Sequence, residues 1–283
     1  MVEATKNQTI SLTKKSYLIG LFIIFCTAYS QYLIRSFGLI TGEVVVYGIP
    51  VLTIILFWKS TITRKAFRRS YAALKFGLAF FGSFTFLGLL AAAAIAYILV
   101  MIDPTTVSLL HRPNPVLHIP TELAWIMVWN SLLVVGPAEE YIFRGFIYGG
   151  LLSLYRDKHW LSLALISSIL FALAHLYYVF VYGIASLVQL TDIVTFGMAM
   201  ASTYYISGGN LLIPAVIHGI YDATGFLGVA ISPEIGMYLR GIMILTGMLF
   251  AVIVYIQRTL GKSGIQKLQG GSTDRWPQDS FIS

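Results

Sequence analysis

Apolar residues in this chain run in long blocks separated by short polar segments. The blocks fall at roughly 17–34, 44–58, 76–102, 123–152, 161–180, 187–207, 211–230 and 241–257. At ~1.5 Å of rise per residue, stretches of this length suit the ~30 Å of hydrocarbon in a bilayer. The pattern predicts an all-α, polytopic transmembrane bundle of about eight spans. The second block is short, and the fourth is long with a Gly136-Pro137 step inside it, which predicts a kink or reset of the helix just before its most polar residues.

Composition agrees with the pattern. Of 283 residues, 57% are hydrophobic and 11% charged, against roughly 25% charged in an average soluble domain. Too few charges remain to cover a soluble globule, so the apolar excess must face lipid. This excludes a soluble enzyme, a disordered chain and a disulfide-stapled secreted domain; the single cysteine, Cys26, cannot form an internal bridge. The net charge of +7 does not indicate nucleic acid, because Lys and Arg gather between the apolar blocks and form no basic stripe alternating with aromatics.

Eight spans put the N-terminus, the loops 59–75, 153–160 and 208–210, and the C-terminal tail on one side. Those segments carry 15 Lys and Arg, the opposite side carries three (Arg35, Arg112, Arg240), and Arg144 lies within the membrane. The asymmetry predicts cytoplasmic termini in a multi-pass protein of the cell membrane, or of the endoplasmic reticulum in a eukaryote. Lys14 and Lys15 ahead of an apolar run resemble a signal peptide, but no A-x-A-like site follows, so the segment reads as a first span. Trp58, Trp125, Trp129 and Trp160 fall near proposed helix ends, as interfacial aromatics should. Residues 1–257 read as a single membrane domain with a motif-bearing core at 120–230. The polar tail 258–283 is expected to be a disordered cytoplasmic extension.

Ionisable side chains in mid-bilayer are costly and mark functional candidates. They are Glu139, Glu140 and Arg144 in the fourth block, His175 in the fifth, and His218 and Asp222 in the seventh, with Asp192 near the outer end of the sixth. Glu140 and Arg144 are four apart, as are His218 and Asp222, so each pair shares a helix face. Glu140–Arg144 reads as a buried ion pair that locks the bundle. Glu139 has no basic partner in its own helix, and counting residues from the cytoplasmic side places His175 beside it, ~21 Å deep, with His218 at ~10 Å. The expectation is therefore a membrane-embedded catalytic cavity open to the cytoplasm.

Such a set suits hydrolysis. A carboxylate takes a proton from water, one histidine orients that water, and a second donates to the oxyanion of a tetrahedral intermediate. Glu139, His175 and His218 could equally hold zinc. There is no H-E-x-x-H, no second carboxylate in a G-x-G-D, and no Ser in a G-x-S-x-G context.

Three strings, Glu139-Glu140-Tyr-Ile-Phe-Arg144-Gly145, Phe171-Ala-Leu-Ala-His175 and His218-Gly-Ile-Tyr-Asp222, resemble the EExxxR, FxxxH and HxxxN/D motifs of the CPBP family. These are the CAAX-protease and bacteriocin-processing membrane endopeptidases related to the eukaryotic Rce-type enzyme. Order and spacing match over about 120–230, and Gly209-Asn210-Leu211 with Pro214 also resembles the start of the family's seventh span. The resemblance implies cleavage of a peptide bond in a membrane-associated peptide or protein substrate, lipidated or not. Glu139 and His175 would activate water, His218 and Asp222 would stabilise the oxyanion, and Glu140 with Arg144 would hold the first motif. The family has been described both as metalloproteases and as metal-independent glutamate proteases, so zinc is a candidate cofactor only. Prenyl-processing members usually carry Asn where Asp222 stands; an ionised Asp would repel an oxyanion, so it must be protonated or must keep His218 charged and oriented. The alternatives are a non-proteolytic scaffold or immunity-type protein of the same fold, and a proton-coupled transporter, for which no internal repeat is visible.

Overall fold

A computed structural model describes residues 13–34, 42, 44–58, 71–112 and 117–265, and among them there are only helices and turns. The helices are α1 (Lys14–Ile34), α2 (Val44–Gly48 continuing as Ile49–Trp58), α3 (Tyr71–Ile102), α4 (Thr106–Leu110), α5 (Thr121–Leu154), α6 (Trp160–Ala174), α7 (Tyr178–Tyr182), α8 (Ser186–Ile206), α9 (Leu212–Ala230) and α10 (Pro233–Ile265). The chain is an all-α membrane bundle. Five segments are long and apolar enough to cross a membrane: Ala73–Ile102, Thr121–Leu154, Tyr178–Ile206, Leu212–Ala230 and Pro233–Thr259; α2 and α6 are shorter apolar helices. Leu56, Phe22, Leu133 and Tyr255 are each at least 70% exposed, a surface that only lipid accommodates.

Two boundaries differ from the sequence expectation. The fifth block ends as a helix at Ala174: residues 175–177 form a turn, and α7, which follows, is a separate five-residue helix that stops at Gly183, where φ is +52°. At the other end of the chain, α10 continues to Ile265, eight residues into the stretch expected to be disordered, since no proline stops it. The rest of that tail, the N-terminal 12 residues, Arg35 and most of the basic loop 59–75 lie outside the described residues.

Small residues let the helices cross closely. A Cβ on Gly82 of α3 or Gly247 of α10 would run into the backbone of the other helix. Gly136 of α5 and Gly219 of α9 form the crossing that matters most for the site: a Cβ on Gly136 would lie 2.7 Å from the Gly219 nitrogen, and one on Gly219 would lie 2.8 Å from the Ser131 carbonyl oxygen. Phe81, Phe143, Phe146, Phe171, Phe196 and Met200 fill the main core between α3, α5, α6 and α8.

The reset expected at Gly136-Pro137 takes the form of wide, π-type turns at Ser131–Val135 and Tyr141–Tyr148 on either side of a short α-helical step. Wide turns free backbone carbonyls, which lipid cannot satisfy. Other helices supply donors: Ser167 of α6 donates to the Phe143 carbonyl at 3.3 Å, and Tyr17 of α1 to that of Ile147 at 2.9 Å.

Three contacts fix which helix ends share a level. Lys14 lies 5.4 Å from the Tyr155 ring, Lys75 donates to Gln257 at 2.7 Å, and Trp160 stacks on Tyr205 at 4.7 Å. The start of α1 therefore lies level with the end of α5, that of α3 with the end of α10, and that of α6 with the end of α8.

Candidate active site

The Gly136–Gly219 crossing brings the polar residues of α5 and α9 together. Glu140 and Arg144 are fully buried, and Arg144 Nη1 lies 3.1 Å from Glu140 Oε1. Arg144 also donates to the Gly197 carbonyl at 3.3 Å, and its guanidinium lies 4.6 Å from the centre of the Phe171 ring. Gly197 is itself a close-approach position, since a Cβ there would meet Ser168. The same Glu140 Oε1 accepts from His218 Nδ1 at 2.7 Å. A carboxylate can only accept, so this contact puts a proton on Nδ1.

The other ring nitrogen, His218 Nε2, faces two more carboxylates, Asp222 Oδ2 at 3.3 Å and Glu139 Oε2 at 3.5 Å. Glu139 is 6% exposed, and its Oε1 accepts from the Tyr47 hydroxyl of α2 at 2.9 Å. Carboxyl groups thus face both nitrogens of the His218 ring. Asp222 is the open member, with its side chain 34% exposed.

His175 stands at the end of α6, half-buried. Its Nδ1 donates to the Phe171 carbonyl at 2.9 Å, which leaves Nε2 as an acceptor. The Phe171 ring lies between the histidines, 4.8 Å from His175 and 6.0 Å from His218, and Phe196 of α8 packs edge-on against His218 at 4.8 Å.

Of the seven residues singled out in the sequence, the structure links Glu139, Glu140, Arg144, His218 and Asp222 directly and brings His175 to them across Phe171, while Asp192 accepts from Tyr221 at 3.4 Å; the pairing differs from the expectation. Glu139 meets Tyr47 and His218, whereas the depth arithmetic had put His175 beside it and His218 some 10 Å away. The eight residues of wide turn between Glu139 and the cytoplasmic end expected for α5 shorten the helix slightly, and the close backbone crossing of Gly136 and Gly219 brings His218 up to Glu139. Sequence reasoning also missed Tyr47, Phe196 and the Gly197 carbonyl, none of which carries an ionisable signal in a membrane block. Among the described residues no group of three or more His, Cys, Asp or Glu side chains is placed to hold a metal ion.

Phe22, Phe25, Cys26, Tyr29 and Ser30 of α1 line an open apolar groove of about 500 Å³. Tyr29 donates to the Leu173 carbonyl at 2.8 Å, two residues before His175.

Residues 121–224 match the family model described as type II CAAX prenyl endopeptidase Rce1-like. The match supports a domain of the CPBP/CAAX-protease kind over that stretch. All six polar residues of the site lie inside the match, and Tyr47 and the α1 groove lie outside it. No curated protein and no solved structure matches the chain.

Proposed function

We propose that this protein is an intramembrane endopeptidase that hydrolyses a peptide bond of a membrane-associated substrate with water activated by Glu139. One observation carries the reading: a buried carboxylate without a basic partner on its own helix faces a histidine whose far nitrogen is held by a second carboxylate, Glu140.

In this reading Glu139 takes one proton from water on Oε2, while His175 Nε2 orients the water by accepting a hydrogen bond from its other O–H, which stays on the attacking oxygen. The oxygen attacks the scissile carbonyl, and the C=O electron pair moves onto the carbonyl oxygen. His218 Nε2 donates to that oxyanion. As the tetrahedral intermediate collapses, the C–N bond breaks and the leaving amine takes the proton from Glu139. Asp222, 3.3 Å from Nε2, keeps the imidazolium charged and oriented rather than touching the oxyanion itself. Glu140 fixes the ring from the other side and Arg144 offsets its charge.

The basic end of the bundle faces the cytoplasm by the charge asymmetry. The α1 groove suits an apolar or lipidated part of the substrate, whose peptide would then reach His175 and Asp222, the less buried members of the site. Mass spectrometry of membrane-protein termini from cells with the wild type and with Glu139→Ala tests the reading. Substrate ends that persist uncleaved only in the variant are expected; identical termini in both would reject it.

A further inference from the structure

A buried carboxylate has two oxygens, and a base works best when one of them is committed elsewhere. In Glu139 the two are distinguished. Oε2 faces His218 Nε2 at 3.5 Å, and Oε1 accepts from Tyr47 at 2.9 Å. Tyr47 sits in the wide turn Val44–Gly48 that opens α2, 92 residues away in sequence and outside the stretch that matches the family model. Wide turns are frequent at functional sites.

We propose that Tyr47 is a positioning residue for the reaction: its phenol ties down one oxygen of Glu139 so that the other is presented to water and to His218. This rests on the reading of Glu139 as the base. Without the phenol the carboxylate rotates about its last bond, and both oxygens sample positions from which water is not in line. A donor to a charged group matters most where geometry decides the rate.

The test uses the full-length protein in lipid vesicles. Cleavage of a farnesylated peptide ending in a C-a-a-X sequence is measured for the wild type, Tyr47→Phe, Glu139→Asp and the double variant. Tyr47→Phe is expected to lower kcat about 10- to 100-fold with KM within about twofold. In the Glu139→Asp background, where the shorter side chain has already lost the contact, it should cost little more. An infrared difference between each protein and its Glu139→Gln counterpart isolates the Glu139 carboxyl band, and this band is expected to move in Tyr47→Phe. A purely structural tyrosine would move neither the kcat/KM split nor the band. A Tyr47→Phe rate equal to the wild type, a full additive loss on Glu139→Asp, or an unmoved band overturns the proposal alone. Full activity in Glu139→Gln overturns the base assignment and the proposal together. If the wild type leaves this peptide intact, the band decides.

Discussion

Glu140 Oε1 lies 2.7 Å from His218 Nδ1 and 3.1 Å from Arg144 Nη1, so one buried oxygen joins the cation of α5 to the histidine of α9. The ion pair read from the four-residue spacing is therefore also the anchor of the third motif. Two helices depend on one carboxylate.

Removing the cation should consequently damage fold and activity together. Arg144→Ala leaves Glu140 without its cation in a fully buried position, a change that typically costs ~3–5 kcal/mol. Thermal unfolding in detergent should show a large drop in midpoint along with loss of cleavage. Wild-type stability in Arg144→Ala would contradict the role given to the pair.

The α5–α9 crossing makes a steric demand that can be checked with one methyl group. In Gly219→Ala the added Cβ would stand 2.8 Å from the Ser131 carbonyl oxygen and 3.0 Å from the Leu132 Cα, both backbone atoms that cannot turn away. The helices must part, at a cost of ~1–3 kcal/mol, and His218 moves off Glu139 and Glu140. Activity should fall by more than tenfold. Gly241→Ala, where nothing lies within 4 Å of the added atom, serves as the control and should match the wild type in both stability and rate.

Much of this site could be read in the sequence because lipid makes ionisable residues conspicuous: Glu139, Glu140, Arg144, His175, His218 and Asp222 stand out from blocks that are otherwise apolar. The i,i+4 pairs were legible because both members share one helix. Which residue meets Glu139 was not, since that depends on the rise of α5 through its wide turns and on the glycine crossing. Tyr47 was invisible for another reason: a tyrosine in an apolar block costs little and raises no alarm. The helix break after Ala174 was masked because Leu176 and Tyr177, within the turn, continue the hydropathy signal across it.

The groove can be probed with the chain's own thiol. Cys26 is exposed and lines it, and it is the only cysteine in the sequence. Reaction with a bulky apolar maleimide should raise KM for a farnesylated peptide at least tenfold and leave an unlipidated peptide of the same sequence little affected. In Cys26→Ser the reagent should do nothing. Equal inhibition of both peptides would remove the groove from substrate binding.

Orientation has its own test. Cysteines placed near Lys6 and near Asp274 in the Cys26→Ser background should be labelled by a membrane-impermeant reagent only after the cytoplasmic face is opened. Labelling of either from outside would overturn the eight-span arrangement with both ends in the cytoplasm.

The most direct measurement concerns Glu139. Glu139→Gln keeps the shape of the side chain and an oxygen to accept from Tyr47 but removes the base, so purified variant in lipid vesicles should fold to wild-type yield and unfold at a similar temperature. Its rate of peptide cleavage should fall by ~10²- to 10⁴-fold, the usual worth of a positioned general base. Cleavage at the wild-type rate by well-folded Glu139→Gln would contradict the assignment of Glu139 as the residue that activates water.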